Sequence, residues 1–294
     1  MTQTSSEAYL AGLDARAEKI QQVEDGMRFA WRRWGSGPAV VLLHGGAGGW
    51  MHWARNIEAL AGRFTVLAPD MPGFGDSDLP REGLDADSIA PYVERGIASI
   101  LGQEPFDLVG FSFGSMVASF VAAKGPPALK ALVLVSASSL GLFAGMPDLR
   151  SLRGVAGRDE RRAVLRHNLL QMMLADPTSI DELALTIQET VAPRDRNKNR
   201  KLARTDVNLM LAAARRCRAF GIWGRQDFAY RDRFDDLLAR VPNLRLDGVQ
   251  IIEDGGHWVQ YEQAEAFNAA LLRFLGQPGA GAGGAPEATR EERT

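Results

Sequence analysis

Short apolar runs bounded by glycine, proline or aspartate recur along the chain: Ala39–Leu43, Thr65–Ala68, Asp107–Phe111, Ala131–Ser136, Ala219–Trp223 and Val249–Ile252. Runs of this length, apolar on both faces, predict strands buried inside a sheet. Between them, Ile89–Leu101 and Phe113–Lys124 repeat apolar residues at helical intervals. Strand and helix in alternation predict an α/β fold, a mainly parallel central sheet flanked by helices on both faces. Met27–Trp34 alternates well enough for an antiparallel edge strand, and Tyr9, Leu10, Leu13, Ala17 and Ile20 are spaced for a short helix ahead of it.

The rhythm fails between about Leu140 and Arg215, where no strand pattern occurs and Ala163–Leu174 and Thr178–Glu189 are the best helices. An insertion after the sixth strand of such a sheet lies over the carboxyl ends of the strands, where ligands bind. Residues 140–215 are therefore expected to form a helical cap on a core made of residues 26–139 and 216–276. Residues 1–25 form an N-terminal segment. The Gly-Ala-rich stretch and the charges that follow it predict a disordered tail over residues 277–294.

Composition narrows the function classes. The 294 residues, with 46% hydrophobic and 24% charged positions, suit a single large enzyme domain, and a net charge of −2 offers no attraction to nucleic acid or an anionic membrane. Cys217 is the single cysteine, which excludes an internal disulfide framework and reads as a buried structural thiol. Residues 1–25 lack the apolar run of a secretory signal, and the apolar runs are too short to cross a bilayer, so a cytoplasmic location is expected. A small molecule is the expected partner, with a homodimer or higher homo-oligomer left open. The four histidines lack metal-ligand spacing, and no cofactor is called for.

The candidate chemistry centres on Val109-Gly110-Phe111-Ser112-Phe113-Gly114-Ser115, a serine between a strand and a helix. In a nucleophile elbow the serine sits on a sharp turn, and the residues two before and two after it must be tiny. Serine needs a base, and the base needs an orienting carboxylate. Enzymes with such an elbow order the three as Ser, then Asp or Glu, then His. Downstream of Ser112 stand His167, which reads as a solvated helical residue, and His257, which follows the last strand. Asp227 ends Ile222-Trp223-Gly224-Arg225-Gln226-Asp227 on the turn after a strand. Asp254 is too close to His257 for more than a turn-forming role. The alternative acid position after the preceding strand reads Ser136-Ala137-Ser138-Ser139, without a carboxylate. The glycine-rich run His44-Gly45-Gly46-Ala47-Gly48-Gly49-Trp50 predicts an oxyanion hole from the backbone N–H groups of Gly46 and Phe113, with His44 bracing the loop.

These stretches, with Ala68-Pro69-Asp70-Met71-Pro72-Gly73-Phe74-Gly75-Asp76-Ser77, resemble the α/β-hydrolase superfamily from about Gly26 to Leu275. Within it the chain looks most like the meta-cleavage-product hydrolases, which split carbon–carbon bonds in ring-cleavage products. The likeness rests on Gly49-Trp50 with Arg55-Asn56, and on Gly256-His257-Trp258-Val259-Gln260-Tyr261-Glu262 with Phe267-Asn268. It implies a substrate pocket with Trp258 beside His257, and Gly45, Trp50 and Phe111 are expected to contribute to it. Two positions depart from the pattern. Phe111 stands where the resemblance expects a polar residue, and Ile187 where it expects an arginine that grips a dienoate carboxylate; Arg161, Arg162, Arg166 and Arg194 are the candidate substitutes.

On the sequence, an apolar side chain beside the nucleophile favours hydrolysis of an ester or related acyl bond in a small apolar substrate. Carbon–carbon hydrolysis of a 2-hydroxy-6-oxo-dienoate is the alternative. A cofactor-free lyase or oxygenase on the same scaffold stays open, and haloalkane dehalogenation is disfavoured by a serine nucleophile. A non-catalytic ligand cup is the remaining reading, disfavoured because Ser112, Asp227 and His257 are all present.

Overall fold

The apolar runs become the strands of one sheet. A computed structural model describes residues 2–24, 26–81, 83, 85–142, 145, 147–197 and 200–276. The strands are β1 (Glu18–Glu24), β2 (Met27–Trp34), β3 (Ala39–Leu43), β4 (Thr65–Pro69), β5 (Phe106–Phe111), β6 (Leu129–Val135), β7 (Arg218–Gly224) and β8 (Gly248–Ile252), in the order β1-β2-β4-β3-β5-β6-β7-β8. Strands β3 to β8 pair in parallel, while β2 runs antiparallel to both β1 and β4. Every residue of β3, β4 and β5 is buried, as strands covered on both faces require.

Ten helices accompany the sheet among the described residues: α1 (Gln3–Ala15), α2 (Ile57–Ala61), α3 (Ala86–Leu101), α4 (Phe113–Ala123), α5 (Arg158–Met172), α6 (Glu182–Val191), α7 (Val207–Ala212), α8 (Phe234–Arg240), α9 (Val259–Glu262) and α10 (Ala264–Leu275). Two apolar layers pack on opposite faces of the sheet. One gathers α10, α2 and the inner faces of α5 and α6 around Trp53, Trp258 and Phe267; the other gathers α3 and α4 around Phe74, Met116 and Trp223.

The N-terminal reading needs correction. Helix α1 exists and buries Leu10 and Leu13, but the chain then turns at Arg16 and enters β1, so Ile20 belongs to a strand. The outer strand is therefore β1 rather than Met27–Trp34, and the sheet begins at Glu18 rather than after residue 25. Its sequence, Glu-Lys-Ile-Gln-Gln-Val-Glu, has no apolar face and is half-exposed along its length, which suits a charged outer strand.

Between β6 and β7 the described residues form α5, α6, α7 and short helical turns, and no strand. This insertion is tied to the core at two places. Arg194 pairs with Asp76 at 2.9 Å and Arg196 donates to the Gly75 and Ser77 carbonyls. At the second place Glu262, at the close of α9, accepts from the N–H groups of Ala175 and Asp176 at 2.9 and 2.8 Å and from that of Gly256 at 2.6 Å. The Trp258 N–H adds a bond to the Met173 carbonyl at 2.7 Å. The predicted tail over residues 277–294 lies outside the described residues.

Candidate active site

Strand β5 ends at Phe111 and α4 starts at Phe113, so the single residue between them makes the whole turn. Ser112 adopts φ +51° and ψ −112°, a conformation that costs a non-glycine residue of order 1–3 kcal/mol. Its N–H still extends the ladder by donating to the Val135 carbonyl at 2.9 Å, which fixes the turn to β6. A Cβ on Gly110 would enter the Gly114 carbonyl, and one on Gly114 would stand 2.5 Å from the Leu43 carbonyl oxygen. Both positions therefore demand glycine, as the spacing predicts.

The loops after β7 and β8 bring the other two groups to this turn. They are knitted together by Arg225 N–H to Ile252 O and Gln226 N–H to Gly255 O, both at 2.9 Å. The Ser112 Oγ lies 2.8 Å from His257 Nε2, and His257 Nδ1 lies 2.9 and 2.8 Å from the two Asp227 oxygens. Asp227 is fully buried, and its Oδ1 also accepts the Ala229 N–H at 3.0 Å. The rings of Phe111 and Phe228 flank the imidazole at 5.2 and 5.0 Å between centroids. Such a chain lets the carboxylate hold one imidazole tautomer while the opposite nitrogen receives the serine proton. Asp254 takes no part in it; its carbonyl accepts from Gln263 at 3.0 Å.

These groups open onto a cavity of about 650 Å³. Ser112, His257, Gly46, Phe111 and Phe113 line it, and the insertion supplies Met172, Met173, Asp195, Asn197, Arg200, Lys201 and Arg204 among others. The Tyr230 hydroxyl donates to the Ala137 carbonyl at 2.6 Å; burial and the Asp227 charge push its pKa well up, so it stays protonated. The Phe113 N–H, at the first position of α4, is one of the N–H groups that a helix leaves without an internal acceptor.

Three expected pocket residues lie elsewhere. Trp258 is fully buried, stacks on Tyr261 at 4.2 Å and donates its indole N–H to the His52 carbonyl at 2.9 Å, so it supports the site from the core. Trp50 packs against Trp34 at 5.6 Å, with the Arg32 guanidinium over its ring. Gly45 lies behind Phe111, and its N–H is directed to His52 Nδ1 at 3.3 Å. Burial holds the His52 pKa well below its ordinary value, and the ring rests on Phe111 and Trp258. His44 braces the loop: Nδ1 bonds the Gly45 carbonyl at 2.7 Å and Nε2 accepts the Met71 N–H at 2.9 Å.

The four candidate arginines are all engaged away from the cavity. Arg162 pairs with Glu182 and Glu189, Arg166 and Arg161 donate to the carbonyls of Ile180 and Val155, and Arg194 binds Asp76. Ile187 is fully buried in the core. Among the described residues the cations that line the cavity are Arg200, Lys201 and Arg204, which the sequence reading did not single out. Among the described residues no group of three His, Cys, Asp or Glu side chains could hold a metal ion.

With this geometry in view, residues 40–270 match the alpha/beta hydrolase family. The chain belongs to that family. This α/β-hydrolase is 31% identical over 255 residues to a 2-hydroxy-6-oxononadienedioate/2-hydroxy-6-oxononatrienedioate hydrolase of Cupriavidus pinatubonensis, covering 81% of this chain and 86% of the relative. A protein of the same name from Paraburkholderia phymatum is 32% identical over 284 residues, covering 90% and 96%. Among solved structures, a meta-cleavage product hydrolase from Pseudomonas fluorescens superposes with a TM-score of 0.69 at 24% identity, over 87% of this chain and 97% of that one. That superposition speaks for the shared fold.

Proposed function

We propose that this α/β-hydrolase cleaves a carbon–carbon bond beside a ketone, in a substrate of the 2-hydroxy-6-oxo-dienoate type. The observation that carries hydrolysis is the unbroken hydrogen-bonded chain from Ser112 through His257 to Asp227, opening on a cavity of about 650 Å³. The relatives named for dienoate cleavage turn that hydrolysis toward carbon–carbon chemistry, ahead of the ester reading favoured on sequence alone.

In this reading the Ser112 Oγ adds to the ketone carbon as its proton passes to His257 Nε2, and Asp227 stabilises the resulting imidazolium. The N–H groups of Gly46 and Phe113 hold the oxyanion. When the tetrahedral centre collapses, the bonding pair leaves on the neighbouring carbon, delocalised into the keto tautomer of the dienoate chain, and that carbon takes the proton from His257. Water, deprotonated by His257, then releases the acyl group from Ser112. The insertion between β6 and β7 covers the substrate, through Met172 and Met173 at the end of α5 and the residues around Arg200.

Ester hydrolysis remains the second reading, because Phe111 leaves the space beside Ser112 apolar and the same groups would cleave an ester. The deciding measurement sets 2-hydroxy-6-oxo-6-phenylhexa-2,4-dienoate against p-nitrophenyl butyrate. The expected result is dienoate turnover with the higher kcat/KM, abolished in Ser112→Ala. Ester turnover with an untouched dienoate would replace the proposal with the second reading. Failure on both, with no fluorophosphonate labelling of Ser112, would leave a ligand-binding cup.

A further inference from the structure

The cavity is unevenly charged. Its described walls carry Arg200, Lys201 and Arg204 but a single carboxylate, Asp195, while its interior is built from Phe111, Phe113, Met116 and Met173. Lys201 and Arg204 are exposed at the mouth. Arg200 lies deeper: a Cβ added to Gly46 would stand 2.8 Å from its Nη1, which puts the guanidinium against the glycine loop in front of Ser112.

The position of this guanidinium is prepared. Asp195, itself buried and accepting the Asn197 N–H at 2.9 Å, pairs with Nη2. The group lies over the rings of Phe74 and Phe113 at 5.4 and 5.5 Å. Arg196 and Arg194 anchor the same segment to the Gly73–Ser77 loop. One polar atom is left over, since Nε is buried and has no hydrogen-bond partner. A buried donor without an acceptor costs about 1–3 kcal/mol, so a purely structural ion pair is a poor account of this arginine. A planar guanidinium held by one carboxylate, with its Nε–H still to satisfy and a positive cavity around it, is matched by a second carboxylate.

We propose that Arg200 is an anion-binding residue of this cavity, taking the carboxylate of an amphipathic acid whose apolar body fills the space over Phe111 and Met173. The subsite stands on the Gly46 side of the nucleophile. Neither Phe111 nor Ile187, both apolar and buried, contributes a charge to it. The inference rests on Ser112 being the reactive group, and it holds for a carbon–carbon or an ester substrate alike.

The test uses p-nitrophenyl hemisuccinate, hemiglutarate and hemiadipate against neutral p-nitrophenyl butyrate. The wild-type protein should prefer one of the acids. Arg200→Gln should lower the acid-to-neutral ratio of kcat/KM by about tenfold or more, chiefly through KM, the size expected for one charge-assisted pair. Arg200→Lys should restore part of the ratio. Calorimetry with glutarate on Ser112→Ala, with and without Arg200→Gln, reads the same contact without turnover, and binding should weaken about tenfold and fall with salt. An unchanged ratio, or glutarate that binds equally with and without Arg200→Gln, overturns the proposal. Loss of glutarate binding on Arg200→Gln in a protein that hydrolyses none of the substrates would sustain Arg200 and remove the hydrolytic reading of Ser112.

Discussion

At the scale of single residues, the site depends on atoms whose partners are few and fixed. Asp227 is fully buried and faces His257 Nδ1 with both oxygens. Replacing it by asparagine keeps the shape but puts an amide where a carboxylate held the imidazole tautomer. Asp227→Asn should lower kcat by about 10⁴-fold with the circular dichroism spectrum unchanged. A loss of only a few-fold in steady-state turnover would remove Asp227 from the mechanism. His44 and His52 set a different dependence. Burial lowers the pKa of both, far enough for His52 that it stays neutral in the folded state. Unfolded imidazoles take up protons as pH falls below about 6.5, and the folded ones resist this, so stability present above that pH is lost on acidification. The slope is at most about 1.4 kcal/mol per pH unit per histidine. Urea unfolding at pH 7, 6 and 5 should show it, and His52→Asn should flatten it; an unaltered slope would mean that the charged ring is accommodated.

At the scale of elements, the strands that lead to Ser112 and Asp227 were legible because burial on both faces leaves a short apolar run bounded by turn residues. The elbow was legible for a steric reason, the two contacts that exclude any Cβ at Gly110 and Gly114. Strand β1 was not, because an outer strand is half-solvated and its Glu18, Lys19 and Glu24 carry no period. Trp258 misled for a related cause: adjacency to His257 along the chain says nothing of direction, and α9 turns its indole into the core. Arg200 escaped notice because its neighbours, Asp195, Phe74 and Gly46, come from three separate segments that only folding brings together. The join between α9 and the insertion belongs to this scale as well. Glu262→Leu would leave the N–H groups of Ala175, Asp176 and Gly256 without an acceptor, a loss of about 1–3 kcal/mol for each buried group. Urea denaturation should register that loss, and kcat should fall more than KM changes, since Gly256 precedes His257. Stability within experimental error of the wild type would show that water replaces the carboxylate.

At the scale of the whole molecule, the groups proposed to carry hydrolysis come from the sheet and its loops, while most of the cavity lining comes from residues between β6 and β7. Chemistry and selectivity therefore reside in different stretches of chain. That division accounts for a sequence that declares its reaction type through Ser112, Asp227 and His257 yet leaves its substrate to be argued from Arg200 and Phe111. It also accounts for the relatives, whose similarity extends over most of the chain although the residue before the nucleophile and the α6 position differ from the expected pattern.

The buried Glu262 carries a consequence for inheritance. Its carboxylate is complete only when the stretch after α5 presents two successive N–H groups toward α9. A roof exchanged by recombination must bring that pair of donors with it, or the recipient inherits an ungoverned charge beneath its catalytic loop.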